Sequence, residues 1–293
     1  MNIALVVNAR AGGGKGKKFG DSMARELSKS GLHYTEIREK SIEETLQTFS
    51  RIQAKDPFTI IISIGGDGLA HLLFPLAIEH DLPIFVAPAG TGNDFARSTG
   101  SYGLNASQII RIICETKPQR IDMGQVEHHG KSITFGQVLS TGFDSLVNER
   151  ANGYRVIRGK LKYVVAVLRE LPFFVPRTFR VTLDGAILET GAMLVAIANG
   201  QSYGGGMMVC PEADMKDGKF DVLLLKPVPV REFMRVFPKV FSGKHISHRA
   251  VEIHRCSSIS LESDVIAYAD GERIGPLPIT AKVLPGALLT WLI

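Results

Sequence analysis

Glycines, carboxylates and hydroxyls gather in a few short stretches of this 293-residue chain, each next to a strand-like run. In residues 59–71, TIIISIGGDGLAH, Ile60, Ile61 and Ile62 run into Gly65, Gly66, Asp67 and Gly68, after which Leu69, Leu72, Leu73 and Leu76 recur at helical spacing. Glycines at the carboxyl end of a buried strand let the backbone approach a ligand closely, and the helix N-terminus beyond them favours an anion such as phosphate. Asp67 repels phosphate, so its chemistry there would be to hold Mg²⁺ against the phosphates or to act on an attacking hydroxyl. The alternative is a helix N-cap in an ordinary turn. A second stretch, Pro88, Ala89, Gly90, Thr91, Gly92, Asn93, Asp94, Phe95, Ala96 and Arg97, again sets glycines with hydroxyl and amide donors after an apolar strand, with Asn93 or Asp94 fit to cap the next helix. Two such loops on one sheet edge should face each other, and a triphosphate needs donors from several loops to stay in line.

Two later stretches carry acids. In PEADMKDGKFD, residues 211–221, Asp214 and Asp217 lie three apart in a turn, a spacing that suits a hard divalent cation and equally a charged hairpin turn through Asp217 and Gly218. Tyr268, Ala269, Asp270, Gly271 and Glu272 read as a hairpin turn between strands. Near the start, Ala9, Arg10, Ala11, Gly12, Gly13, Gly14, Lys15, Gly16, Lys17 and Lys18 form a basic glycine-rich run. It lacks P-loop spacing, because the last Gly-Lys is followed by Lys18, and reads as a flexible solvated loop.

The elements that must position these residues follow two rhythms. Apolar strands at residues 3–8, 33–38, 59–64 and 84–87 alternate with helices near 21–30, 42–54 and 69–76, the pattern of an open parallel sheet that binds ligands beyond its strand carboxyl ends. After a helix at 107–116, strand-like segments dominate: 121–126, 133–139, 179–183, 193–198, 220–225, 251–253 and 259–261. The fold class is therefore α/β plus all-β: a doubly wound parallel-sheet domain over residues 1–122, then an antiparallel β-sandwich domain over 123–284. Two basic amphipathic helices are expected in the second part, at 155–171 and 230–241, of a kind found on anionic membrane surfaces and also packed against sheets.

Composition narrows the classes. The chain is 45% apolar, and no apolar run reaches the roughly 18 residues that span a bilayer. MNIALVVN lacks the basic start of a secretory signal, which makes the cytoplasm the expected location. Cys114, Cys210 and Cys256 are widely separated, show no CxxC pair and are expected to be buried thiols. A net charge of +5 favours an anionic partner. Nucleic acid has no motif behind it, since Trp291 stands alone and no basic stripe is interleaved with aromatics.

With GGDG and PAGTGNDFAR in that order, the sequence resembles the diacylglycerol kinase catalytic family, in particular its soluble bacterial lipid kinases, over essentially its whole length. The resemblance implies an ATP-dependent lipid kinase with Mg²⁺ as cofactor. Its lipid substrate would be presented at the inner membrane surface, and the active site would lie in a cleft between the two domains. It implies that Asn8, Ala9, Arg10, Ala11, Gly12, the run Gly65, Gly66, Asp67, Gly68, Leu69, Ala70 and His71, and Thr91 hold ATP. Asp67 would attend its metal-bound phosphates, and Asp214, Asp217 and the carbonyl of Lys219 would bind a structural Mg²⁺. Asp270 or Glu272 would accept the proton of the lipid hydroxyl, and residues 285–293 would return to the first domain. The residue after GGDG is usually Thr in that family and is Leu69 here, removing a hydroxyl whose hydrogen bond is worth roughly 1 kcal/mol. NAD kinases share GGDG, and a non-catalytic lipid or nucleotide binder would share the fold. The oligomeric state is left open, a homodimer included.

Overall fold

The computed structural model describes residues 1–153 and 161–293. The chain divides into two compact units, Met1–Ile121 with Gly286–Ile293, and Asp122–Pro285. The first contains β1 (Asn2–Val7), α1 (Ala11–Lys29), β2 (His33–Ile37), α2 (Ile42–Gln53), β3 (Ile60–Gly65), α3 (Asp67–Glu79), β4 (Ile84–Pro88), α4 (Asp94–Ser98) and α5 (Ala106–Glu115). Its sheet runs β2-β1-β3-β4 with every pair parallel; Leu5 lies beside Ile62, and Ile62 beside Phe85. Strand side chains alternate between faces, so Ile3, Leu5, Val7, Ile60, Ile62 and Ile64 share one core with Met23 and Leu27 of α1 and Ile109, Ile110 and Ile113 of α5. The intervening Ala4, Val6, Ile61 and Ser63 are buried as well, as a parallel sheet covered on both faces requires.

Local sequence sets the helix starts. Ser41 accepts the Glu44 N–H at 3.1 Å ahead of α2, and Asn105 with Gln108 forms a reciprocal capping box ahead of α5. Cys114, in the last turn of α5, is exposed; only Cys210 and Cys256 are the buried thiols expected of all three.

The second unit contains β5 (Gln119–His128, whose first residues belong to the first unit), β6 (Lys131–Phe135), β7 (Val138–Gly142), α6 (Phe143–Gly153), α7 (Leu161–Glu170), β8 (Arg177–Leu183), β9 (Ala186–Ala192), β10 (Leu194–Ala198), β11 (Phe220–Leu225), α8 (Val230–Val236), β12 (Val251–Cys256), β13 (Ser258–Glu262), β14 (Ile266–Ala269), β15 (Glu272–Pro276) and β16 (Ile279–Thr290). One antiparallel sheet runs β12-β11-β10-β7-β14-β15, and a second set joins β16, β13, β8 and β9, with β5 and β6 as a hairpin. Phe135, Phe179 and Ile259 from the second set meet Leu139, Val195 and Phe220 from the first in one core, which makes the unit a sandwich.

Two expected elements are broken, each for a local reason. The single strand expected over 133–139 is two, β6 and β7, because the Gly136 and Gln137 N–H groups go to the Asp270 carboxylate. The helix expected over 230–241 ends at Val236; Pro238 lacks an N–H and its ring crowds the preceding turn, so tighter turns carry the chain on to Ser242. The basic helix expected over 155–171 is described from Leu161 to Glu170, and residues 155–160 lie outside the described residues. Among the described residues no helix is long and apolar enough to cross a membrane.

The chain end belongs to the first unit. Thr290 pairs with Ile84 and donates its hydroxyl to the Ile84 carbonyl at 2.7 Å, Trp291 packs 5.7 Å from Phe85, and Ile293 N–H reaches the Thr99 carbonyl at 3.0 Å. Trp291 is 3% exposed. Replacing it with Ala should destabilise the first unit by about 3–5 kcal/mol, read as a lowered denaturant midpoint; a shift worth less than about 1 kcal/mol would show that the terminal segment is dispensable.

Candidate functional site

Three turns leave the carboxyl ends of β1, β3 and β4 and touch one another. In the first, Asn8 N–H bonds the Ile64 carbonyl at 2.9 Å, while its side-chain Oδ1 accepts the Arg10 N–H and its carbonyl accepts that of Ala11, both at 3.1 Å. Gly12, Gly13 and Gly14 follow at φ +56°, +68° and +97°, three successive left-handed residues that side chains would strain. A Cβ on Gly12 would also collide with the Ala89 carbonyl. The basic run expected to be a flexible loop is thus a left-handed turn packed on the β4 turn and continuous with α1, with Arg10, Lys15, Lys17 and Lys18 exposed.

In the second and third turns, the Gly65 carbonyl accepts Ala89 N–H at 2.7 Å, and Gly90 packs so closely on Gly66 that a Cβ at Gly90 would overlap the Gly66 Cα. Asp67 lies in the first turn of α3, whose N-cap is Gly66, and its carboxylate reaches across to the other turn. Its Oδ2 accepts Asn93 N–H at 2.6 Å and its Oδ1 accepts Phe95 N–H at 3.5 Å. Asn93 or Asp94 was expected to cap α4. Instead Asp67 supplies that acceptor, because Asn93 sits at φ +58° and spends its amide on Gly90, accepting its N–H at 2.9 Å and donating to its carbonyl at 3.0 Å. Thr91 and Gly68 stand exposed; Ala70 is buried and His71 half-buried. Leu69, where the hydroxyl would have been, lies over Gly65, its Cδ2 2.8 Å from the place of a Cβ there. The first unit therefore brings together Asn8 to Gly12, Gly65 to His71, and Thr91.

The acidic turns belong to the second unit. Asp270, at φ +51° between β14 and β15, holds three backbone donors: Gly136 N–H at 2.7 Å, Gln137 N–H at 2.9 Å and Val138 N–H at 3.2 Å. Glu272, two residues on, is exposed. Behind the turn, Glu149 accepts from Tyr268 Oη and Arg273 Nε, each at 2.7 Å, and these bonds hold its carboxyl below the usual carboxylate range. In the turn before β11, Asp214 accepts Lys216 N–H at 3.0 Å, and Asp217 accepts Lys219 N–H at 2.9 Å while pairing with Arg255. Asp221, buried nearby, has one carboxylate oxygen with no hydrogen-bond partner, and its pKa is raised by burial against the lowering effect of Arg255. Among the described residues no three His, Cys, Asp or Glu side chains meet in a metal-holding group.

The sequence reading missed a cavity of about 140 Å³ within the second unit, lined by Phe143, Val167, Leu223, Phe233 and Phe237 among other apolar residues, with Asp144, Tyr203, His245 and His248 as polar members. Ser140 Oγ donates to Asp144 at 2.5 Å and Asn148 Nδ2 at 3.1 Å. Desolvation raises the Asp144 pKa, partly offset by bonds from Ser140, Tyr203 and Asn148. The only signal was an acid in the apolar context LSTGFDSLV.

Two outcomes follow from these carboxylates. Asp67→Ala should cost about 2–3 kcal/mol, the range for charge-assisted bonds, and speed amide exchange at Asn93 and Phe95; unchanged exchange would show that Asp67 does not hold that turn. A carboxyl whose folded pKa is raised stabilises the fold fully below its ordinary pKa, and that contribution is lost as pH rises through the folded value. The stability of wild type relative to Asp144→Asn should therefore fall as pH is raised from about 4 towards neutrality, measured by denaturant unfolding at each pH; a difference that does not change with pH would contradict it.

Residues 2–126 match the family model described as diacylglycerol kinase catalytic domain, and residues 137–291 match the YegS C-terminal NAD kinase beta sandwich-like domain. The chain is 32% identical over 289 residues to a diacylglycerol kinase of Mycobacterium tuberculosis (strain ATCC 25618 / H37Rv), covering 98% of this chain and 93% of that one. It is 27% identical to a diacylglycerol kinase of Bacillus subtilis (strain 168), covering 75% and 73%. A solved structure of a diacylglycerol kinase from Bacillus anthracis str. Sterne shares the fold at a TM-score of 0.71 and 19% identity, over 100% of this chain and 97% of that one. Both halves of the sequence thus find their counterparts in the same set of proteins, and the chain belongs to the diacylglycerol kinase catalytic family, with the YegS-type C-terminal domain.

Proposed function

We propose that the protein transfers the γ-phosphoryl group of ATP to the hydroxyl of a diacylglycerol or related lipid. The observation that carries this reading is the meeting of three glycine-bearing turns at one edge of the parallel sheet, where Gly12 abuts Ala89 and Gly66 abuts Gly90. Phosphoryl transfer demands positioning and charge stabilisation above all, and turns stripped of side chains offer backbone N–H groups to phosphate oxygens at close range. Asn8, Ala9, Arg10, Ala11 and Gly12, the run Gly65 to His71, and Thr91 would hold the nucleotide, with exposed Arg10 and Lys15 adding positive charge. Asp67 acts here as a positioning residue, since its carboxylate fixes the turn that carries Thr91.

The lipid oxygen forms a bond to the γ-phosphorus as the bond to the bridging oxygen of ADP breaks, and the hydroxyl proton needs an acceptor. Glu272 suits that role, because it is exposed and no hydrogen bond to its carboxylate occurs among the described residues. The carboxylate of Asp270 is taken up by three backbone donors, which makes it the residue that shapes the turn. The apolar cavity of the second unit would accommodate hydrocarbon of the substrate. The turn of Asp214, Asp217 and the Lys219 carbonyl fits a hard divalent cation in the chemistry of its donors, with the unpartnered oxygen of Asp221 nearby. Mg²⁺, when bound with the nucleotide, would supply neutralising charge for phosphoryl transfer.

Pure protein incubated with labelled ATP, Mg²⁺ and micelles of diacylglycerol, sphingoid base or phosphatidylglycerol, with NAD as a further acceptor, should label a lipid and leave NAD unlabelled. Glu272→Gln should lower kcat by about 10²–10⁴-fold with the fold intact, whereas Asp270→Asn should lower both stability and activity. Transfer to no lipid, or Glu272→Gln turning over like wild type, would refute the assignment. Mg²⁺ should raise the melting temperature of the nucleotide-free protein, and Asp214→Asn should abolish that rise; identical melts with and without Mg²⁺ would remove the metal from this turn.

A further inference from the structure

α8 and the turns after it have two unlike faces. Phe233, Val236, Phe237 and Val240 face inward and line the cavity, while Val230, Arg231, Met234, Arg235, Lys239 and Phe241 are exposed at helical spacing. Phe241 belongs to both faces: it lines the cavity and is 51% exposed, which puts it at the cavity mouth. Residues 230–249 carry Arg231, Arg235, Lys239, Lys244 and Arg249 against Glu232 alone, five positive charges less one negative, or +4. Glu232 is engaged by Arg249 at 3.1 Å and by His248 at 3.1 Å, whereas Arg231, Arg235, Lys239 and Lys244 enter no ion pair among the described residues. More apolar surface lies alongside. Phe174 packs on Phe143, which packs on Phe233, and next to Phe174 in sequence Phe173 and Val175 are 83% and 63% exposed. Cations interleaved with outward Met, Val and Phe match the boundary between anionic headgroups and acyl chains.

We infer that the outer face of residues 230–244 docks on an anionic bilayer surface, with Met234 and Phe241 entering the acyl boundary and Arg231, Arg235 and Lys239 meeting headgroup phosphates. The inner face of the same segment roofs the cavity, so a lipid leaving the docked leaflet passes Phe241 into an apolar space without crossing bulk water. That the entering lipid is a substrate rests on the kinase reading; the docking does not.

The test is co-sedimentation of the full chain with phosphatidylcholine vesicles, with and without phosphatidylglycerol, at low and high salt. Binding should require phosphatidylglycerol and weaken as salt is added. Each cation near an anionic leaflet contributes roughly fivefold, so Arg231→Glu/Arg235→Glu/Lys239→Glu should bind at least about a hundredfold more weakly. Met234→Ser/Phe241→Ser should also lose binding, and Lys131→Glu, on the β5–β6 hairpin, should bind like wild type. Triple-variant binding equal to wild type, equal binding to neutral vesicles, or an equal loss in Lys131→Glu would overturn the inference. Phosphorylation of a water-soluble short-chain diacylglycerol separates the two readings. A triple variant that keeps this activity while losing vesicle binding supports docking, whereas wild type that binds vesicles yet phosphorylates no lipid defeats the kinase reading and leaves docking standing.

Discussion

The carboxylate of Asp67 is the constraint on which the turns of the first unit depend. Placed on one helix, it accepts backbone N–H groups from the start of another, at Asn93 and Phe95. Without that acceptor the 90–93 turn would lose its tie to α3 and rely on its internal amide ring and on the Ala89–Gly65 bond behind it to keep Gly90 against Gly66. The arrangement inverts the usual geometry of a helix cap, in which the acceptor belongs to the same chain segment as the donor. The cap doubles as a tie between two loops, and it leaves no room for a side chain at Gly92, where a Cβ would lie 2.5 Å from Asp67 Oδ2.

The second unit repeats the principle with different parts. Asp270 gathers three consecutive N–H groups from the 136–138 segment and interrupts the strand there, so that β6 ends and β7 begins where the acid draws the backbone aside. In each half an aspartate expected to act chemically, Asp67 in one and Asp270 in the other, organises backbone through its carboxylate. Aspartates that accept several N–H bonds are costly to replace, because the donors left behind are orphaned.

Much of this was legible from residues alone. Runs such as IALVV and TIIISIG, with glycine at the end, announced parallel strands and ligand-facing turns, and the switch to alternating patterns such as Phe179, Val181 and Leu183 announced the sandwich. The failures share a physical origin: they depend on partners distant in sequence. Nothing within 133–139 shows that Asp270 will take three of its donors, and nothing in GGDG shows that its acid will cap a helix beyond the next strand. The cavity escaped notice because its lining comes from several separate segments, none unusual by itself. Pro238, by contrast, is a local signal, and the expected helix ran past it despite the known effect of proline on a helix interior.

β16 runs from the sandwich into the first unit, so the parallel sheet that β1 begins is joined by a strand that comes after the whole sandwich in sequence. While the chain is being made, residues 1–121 emerge without Thr290 to pair with Ile84 or Trp291 to cover Phe85, leaving an apolar flank open until the segment after the sandwich has been made. Domains that close only on completion expose such surface to chaperones and to neighbouring chains. The two units are thereby coupled in assembly: β16 gives residues 279–282 to β13 of the sandwich and Thr290 to β4 of the first unit, so neither is complete before this strand is made.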